Sequence, residues 1–414
     1  MLRRLAKGQI RDGRLREMVD RVNHLTTGGY EAIDANGAVL MPLLERVVAR
    51  SKEKEEWHLY FYAMAQLLWL SLRERDTRRA FRVSEIFHQD YAHHVGEEVN
   101  PSGWHWRIYA ASLILSFYVG FWQIDDAKLQ QMLGLLLDYE GRYGDSWNYA
   151  ADGYYMLWMA TAGRDKELAE AARGRLLKAD YRKWSYIFFY GASMICYYAM
   201  HEDFGGIEET ISGIIGKTVP LNYQWCYNHK KIANEEWLVN QALESCLKYG
   251  SRALFVQIFG RWKKIYQEAP KGELGTFQVL FHELAGEWGQ GEDRLRVAEK
   301  DDQDARGGRE VPLDSLYWAL CWRCYFGMLD QRGVKTVNLR LGDGPGNAAG
   351  AKWENGEKPD LAADNTQEWQ ALEAARYFER QADGIGAQMD KARKQFHYAR
   401  VKQNFEECFL NAGT

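Results

Sequence analysis

The stretch WHLYFYAMAQLLWLSLR (residues 57–73), followed by TRRAFRVSEIFHQDYA (residues 77–92), decides the fold. The first segment is apolar nearly all round and has helical length. The second carries Ala80, Val83, Ser84 and Phe87 at spacings of three and four between charged residues. That is the pattern of a buried helix followed by an amphipathic one, not of two strands. The alternation recurs. Residues 104–123 precede 127–145, 147–164 precede 166–180, and 184–201 precede 206–217. Looser versions follow at 234–250 with 251–269, at 276–288, at 314–330, and at 366–383 with 385–409. The aromatic segments recur at intervals typical of helical-hairpin repeats. The expected class is all-α, an array of about seven or eight hairpins in which the apolar helix is sandwiched and the amphipathic one faces outward.

The chain has 414 residues, of which 46% are hydrophobic and 14% aromatic, with only 7 Pro. This excludes disordered, collagen-like and disulfide-scaffold classes. A net charge of −4 argues against nucleic acid as the general partner. The six cysteines, at 196, 226, 246, 321, 324 and 408, lie mostly in apolar runs and read as buried thiols of a reduced, cytoplasmic compartment. Residues 1–25 mix seven basic and three acidic residues without an apolar core, so no secretory signal is expected. The apolar runs 108–122 and 186–200 are shorter than the roughly 20 residues a membrane helix needs. The divisions expected are an N-terminal helical cap (1–56), hairpin repeats (57–329), an irregular insertion (330–365) and a C-terminal hairpin (366–414). Within the Gly- and Asn-rich insertion, residues 334–341 fit a short strand.

Two segments carry a family pattern. Ala392, Phe396 and Ala399, and likewise Ala172, Leu176 and Ala179, place small residues around an aromatic or Leu at intervals of four and three. Ala80, Ser84 and Phe87 keep part of it. In these positions the chain resembles tetratricopeptide-repeat (TPR) proteins with degenerate repeats. The resemblance implies an α-solenoid, a right-handed superhelix, and a concave groove for a peptide or protein partner, as in bacterial regulators or sensors. It implies neither catalysis nor a cofactor.

Several motifs read as structural. Cys321-Trp-Arg-Cys324 has redox spacing but lies inside an apolar helical run. His282-Glu283 opens like a zinc-protease helix, but Gly286 stands where the second His is needed. His88, His93 and His94 near Glu85 and Asp90 lack the spacing of a known site. Asp302, Asp304 and Gly307 echo a calcium loop that Arg306 and Leu313 break. No metal site is expected.

Candidate groove residues are Trp147, Tyr154, Tyr155 and Trp158 in one cluster, and Tyr223, Trp225, Tyr227, Asn234 and Asn240 in another. Aromatic rings supply grip and Asn side chains orientation. Arg73, Arg75, Arg78, Arg79 and Arg82 form a basic face suited to an acidic partner. Lys391, Arg393, Lys394, Arg400 and Lys402 form a second. An alternative is a glycan-active enzyme. Residues 152–172 resemble helices of α/α-toroid enzymes, and Asp152 with Glu236 would be the carboxylate pair that glycoside cleavage requires. A third reading is a helical immunity or toxin-neutralising protein.

Overall fold

The structure is a computed structural model. It describes residues 10–27, 30–73, 76–94, 194–215, 233–267, 275–286, 292–306, 312–342, 367–392 and 397–411, with Gly120, Ala127 and Gly134. Among these the protein is predominantly helical, with one two-stranded sheet. The chain divides into two compact units.

The first unit holds four helices that pack in sequence order: α1 (Gly13–Leu25), α2 (Tyr30–Glu53), α3 (Trp57–Arg73) and α4 (Thr77–His93). Asp12 caps α1 by accepting from the Leu15 amide at 2.7 Å. Arg50 of α2 reaches back to the same carboxylate at 2.7 Å and so fixes the α1–α2 pairing. α3 lies between α2 and α4 and is buried from Leu59 to Leu68. In α4 the buried residues are Ala80, Val83, Ser84 and Phe87, one stripe at helical spacing. The two halves of the hairpin therefore play the parts their composition assigns. Asp90 of α4 accepts from Tyr60 of α3 and pairs with Lys52 of α2 at 2.8 Å. His94 stacks on the Trp57 ring at 3.5 Å between centroids.

The second unit contains α5 (Phe204–Ile215), α6 (Ala233–Tyr249), α7 (Arg252–Gln267), α8 (Thr276–Ala285), α9 (Glu292–Arg306), α10 (Pro312–Gln331), α11 (Ala371–Ala392) and α12 (Tyr398–Phe409). Its centre is a run of phenylalanines. Phe255 of α7, Phe277 and Phe281 of α8, and Phe405 and Phe409 of α12 meet at centroid separations of 5.4–6.5 Å. Beyond burial, such ring pairs contribute about 0.5–1.5 kcal/mol each. α10 packs along α11, where Trp322 and Phe326 lie against Phe378. No helix among the described residues is long and apolar enough to cross a membrane.

Three boundaries differ from the periodicity. The strand expected at 334–341 is present as β1 (Thr336–Leu339), but it pairs antiparallel with β2 (Gln367–Gln370), at the place where a helix is expected from 366. The helix starts at Ala371 instead. The C-terminal helices also divide elsewhere. α11 continues through Asp383-Gly-Ile-Gly386, because the Tyr398 ring lies so close over Gly386 that a Cβ there would collide with it. The glycine serves close packing, not a turn. The break comes after Ala392, so Ala392 and Ala399 stand on different helices, not on one.

Candidate functional site

Most sequence-predicted site residues fall outside the described set. They are Trp147, Asp152, Tyr154, Tyr155, Trp158, Tyr223, Trp225 and Tyr227, together with Arg75. The side chains of Arg73, Arg78 and Asn234 are likewise outside it. Asn240 has a place in the core, not on a groove: it is buried and accepts from the Tyr266 hydroxyl, tying α6 to α7. Glu236 is half-buried and accepts from Gln278 of α8 at 2.8 Å. Arg79 and Arg82 both approach Glu45 of α2, at 3.5 and 4.0 Å, and Arg79 also meets Asp76. Lys402 of the second basic face is engaged by Glu379 and Asp383 at 2.7 and 2.8 Å.

The rejected motifs have structural roles. Glu283 receives Arg294 and Arg332, and His282 Nδ1 lies 2.8 Å from the Tyr266 carbonyl oxygen. Cys321 and Cys324 are buried free thiols. Burial pushes Cys321 well up and Cys324 up to about 12, which keeps both protonated and unreactive.

A different group of residues forms a site. Glu244, Lys248 and Tyr249 project from the last turns of α6, Phe277 from the start of α8, and Asp314 and Tyr317 from the first turns of α10. The start of α10 is held by the Leu313 amide donating to the Gly120 carbonyl at 3.1 Å. The spacing Glu244–Lys248 is one helical turn, and the pair closes at 3.1 Å. The ammonium then lies 4.9 Å from the Phe277 ring centroid and 4.7 Å from that of Tyr317. Lys248 is thus held by one carboxylate and two aromatic faces, each worth about 0.5–2 kcal/mol in such surroundings.

Asp314 is different. It lies one turn before Tyr317 on the same face of α10 and is solvent-exposed. Desolvation raises its carboxyl above the usual range; Lys248 opposes the shift and Glu244 adds to it. Asp314 accepts no hydrogen bond from any described residue. Beside it, Tyr317 is only 2% exposed, and its hydroxyl makes no hydrogen bond of normal geometry. The group facing it is the Tyr249 hydroxyl, and burial pushes both phenols strongly upward, so both stay protonated. Two facing hydroxyls can satisfy only one of their two protons between them. The group therefore combines an exposed carboxyl that no described residue engages, spare hydroxyl capacity and aromatic rings.

Sequence reasoning passes over this site because it matches no spacing motif. Two signals are present. Asp314 is the single acid at the start of the apolar run SLYWALCWRCYFGML, and Glu244 and Lys248 are four apart on the same helix. Against known proteins, the chain matches no family model, no curated protein and no solved structure.

Proposed function

We propose that the chain is a non-catalytic interaction protein whose helical hairpins stack as a TPR-like solenoid, and that a peptide or protein partner binds against the polar and aromatic group carried by α6, α8 and α10. The observation that carries this reading is Tyr317, a buried side chain whose hydroxyl makes no hydrogen bond of normal geometry, one turn from the exposed Asp314. A buried polar group without a partner is costly, and one that persists is a candidate for completion by a ligand. Binding is favoured over catalysis because the Lys248 ammonium is fixed by Glu244 and two rings. The sequential packing of α1 to α4, and of α6, α7 and α8, supports the hairpin arrangement.

The test is a screen of the full chain against a random peptide library and a glycan array, repeated with Asp314→Asn. The reading expects peptides to be selected and the selection to weaken in the variant. Selection of glycans without peptides would overturn it.

A further inference from the structure

We infer that Cys246 of α6 and Cys408 of α12 form a latent oxidation site, at which a hydroperoxide converts the two thiols into a disulfide that pins α12 to α6.

Helix register brings the two residues together. The Asn404 side chain of α12 donates to the Gly250 carbonyl, just past the end of α6, at 2.7 Å. Phe409 of α12 meets Phe255 of α7 at 5.4 Å between centroids. α12 therefore lies against the α6–α7 hairpin, with Asn404 at its turn, and packs on both helices. One helical turn beyond Asn404 stands Cys408. One turn before Gly250 stands Cys246, whose carbonyl accepts from the Gly250 amide at 3.0 Å. The two thiols thus occupy the same level of packed helices, and they are 1% and 3% exposed. Burial pushes the Cys246 thiol well up, and Cys408 adds to the shift.

The other thiols of α10 are placed differently. Arg323 reaches Glu406 at 2.9 Å, and the Leu410 side chain packs over Gly327. Glu406 stands two residues past Asn404, on the opposite side of α12, so α10 and its Cys324 meet another face of that helix. Cys321 and Cys324 lie three apart on α10. Such side chains have Cβ atoms about 5–6 Å apart, beyond the roughly 3.5–4.5 Å a disulfide requires.

While α12 is docked, the site is inert. Burial raises the Cys408 thiol to about 12; Cys324 adds to the shift and Arg252 opposes it. A 12-residue helix can lift away without global unfolding, and lifting removes the burial. The Cys408 thiolate then attacks one peroxide oxygen. The O–O bond breaks, the alkoxide takes up the thiol's proton as an alcohol, and a sulfenic acid remains. Return of α12 sets that sulfur against Cys246. The S–S bond forms, and the sulfenic oxygen leaves with the Cys246 proton as water. Two thiols and one hydroperoxide give one disulfide, one alcohol and one water.

The experiment treats the reduced full chain with tert-butyl hydroperoxide, without urea and at urea concentrations below the unfolding midpoint. Thiols are then counted in denaturant and linked peptides mapped by mass spectrometry. The thiol count is expected to fall by two from six, with Cys246 linked to Cys408. The rate is expected to rise at least about tenfold in mild urea, as α12 opens. The oxidised chain should unfold at a higher urea concentration than the reduced one, because the bond closes a long loop. Cys246→Ala should stop the reaction at a sulfenic acid on Cys408 that dimedone traps, and Cys408→Ala should form no disulfide. If either variant loses its native near-ultraviolet circular dichroism, the peptide map of the parent chain carries the test. A bond from Cys408 to Cys324, a bond between Cys246 and Cys196, or six thiols retained in mild urea would overturn the inference.

Discussion

α8 and α10 carry two polar clusters, and they are completed in opposite ways. Toward α9, three carboxylates are met from within. Asp301 accepts from the Thr276 hydroxyl and from the Trp322 indole at 2.8 Å. Asp302 accepts from Tyr377 at 2.7 Å, from Gln381 at 2.8 Å and from the Gly342 amide at 3.1 Å. Glu283 is clasped by Arg294 and Arg332. Toward α6, Lys248 is satisfied, but Asp314 accepts no hydrogen bond from a described residue and the Tyr317 hydroxyl makes none of normal geometry. A buried charge that the fold itself completes holds helices together. A buried hydroxyl that the fold leaves incomplete, as at Tyr317, is open to a ligand. Without any motif, the contrast separates carboxylates that the fold engages from one that no described residue engages.

Breaking the completed cluster should have the largest effect. Glu283→Ala leaves Arg294, itself buried, without its counter-charge. Removing one partner of a buried ion pair costs about 3–5 kcal/mol. Urea unfolding should show a loss of that size; a loss under about 1 kcal/mol would mean that water already compensates Arg294.

The next effect is a pH dependence. Burial raises the Asp301 carboxyl to about 6, against hydrogen bonds from Thr276 and Trp322 that lower it. The unfolded chain releases this proton near pH 4, whereas the folded chain keeps it to about 6. Over that window the native state binds more protons, so this group's contribution to stability falls as pH rises and is most favourable below about 4. Asp301→Asn should remove that fall, flattening the curve by up to about 3 kcal/mol across pH 4 to 6.5. Denaturant midpoints at a series of pH values would check it, and an unchanged slope would assign the pH dependence to other groups.

Asp302→Ala should cost somewhat less, about 2 kcal/mol, because Tyr377 and Gln381 each lose an acceptor but Gln381 is only part-buried and can turn to water. The variant also frees the Gly342 amide, which lies just after β1. Hydrogen exchange at Gly342 should therefore accelerate along with the loss of stability; exchange that stays slow would place the anchor of β1 elsewhere.

The contrast also explains how much of the molecule is legible in its sequence. α3 and α10 are readable because an apolar run of helical length leaves no alternative to a buried helix, and α4 because one stripe of four residues is buried. The end of α11 is not readable. Gly384 and Gly386 look like a turn until the Tyr398 ring, across a later boundary, occupies the space above Gly386. β2 is hidden for a similar reason. QEWQ has helical composition, and only its pairing with β1 makes it a strand. The group around Lys248 is assembled from three helices, and its defining property is the buried Tyr317 hydroxyl without a hydrogen bond of normal geometry. Local spacing records neither fact. The aromatic groups that the sequence favours around Trp147–Trp158 and Tyr223–Tyr227 lie outside the described residues.

The smallest stability effect belongs to Asp314, and it is the most informative. Two contributions oppose each other there. An acid in the first turn of α10 gains from the helix terminus, by about 0.3–1 kcal/mol. Desolvation works against its charge, as the upward shift of its carboxyl indicates. Asp314→Asn gives up the first and relieves the second, and it breaks no hydrogen bond with a described residue. The expected change is within about 0.5 kcal/mol at pH 7, with the variant gaining relative to the parent as pH rises and the parent carboxyl ionises. Paired urea titrations of Asp314→Asn and Asp302→Ala, on the same protein at the same pH, put the two clusters side by side. If Asp314→Asn proved as costly as Asp302→Ala, Asp314 would be one more structural carboxylate, and the distinction between the clusters would fail. If it cost nothing while abolishing peptide selection, the unfilled side of α10 would be the working surface of the unit.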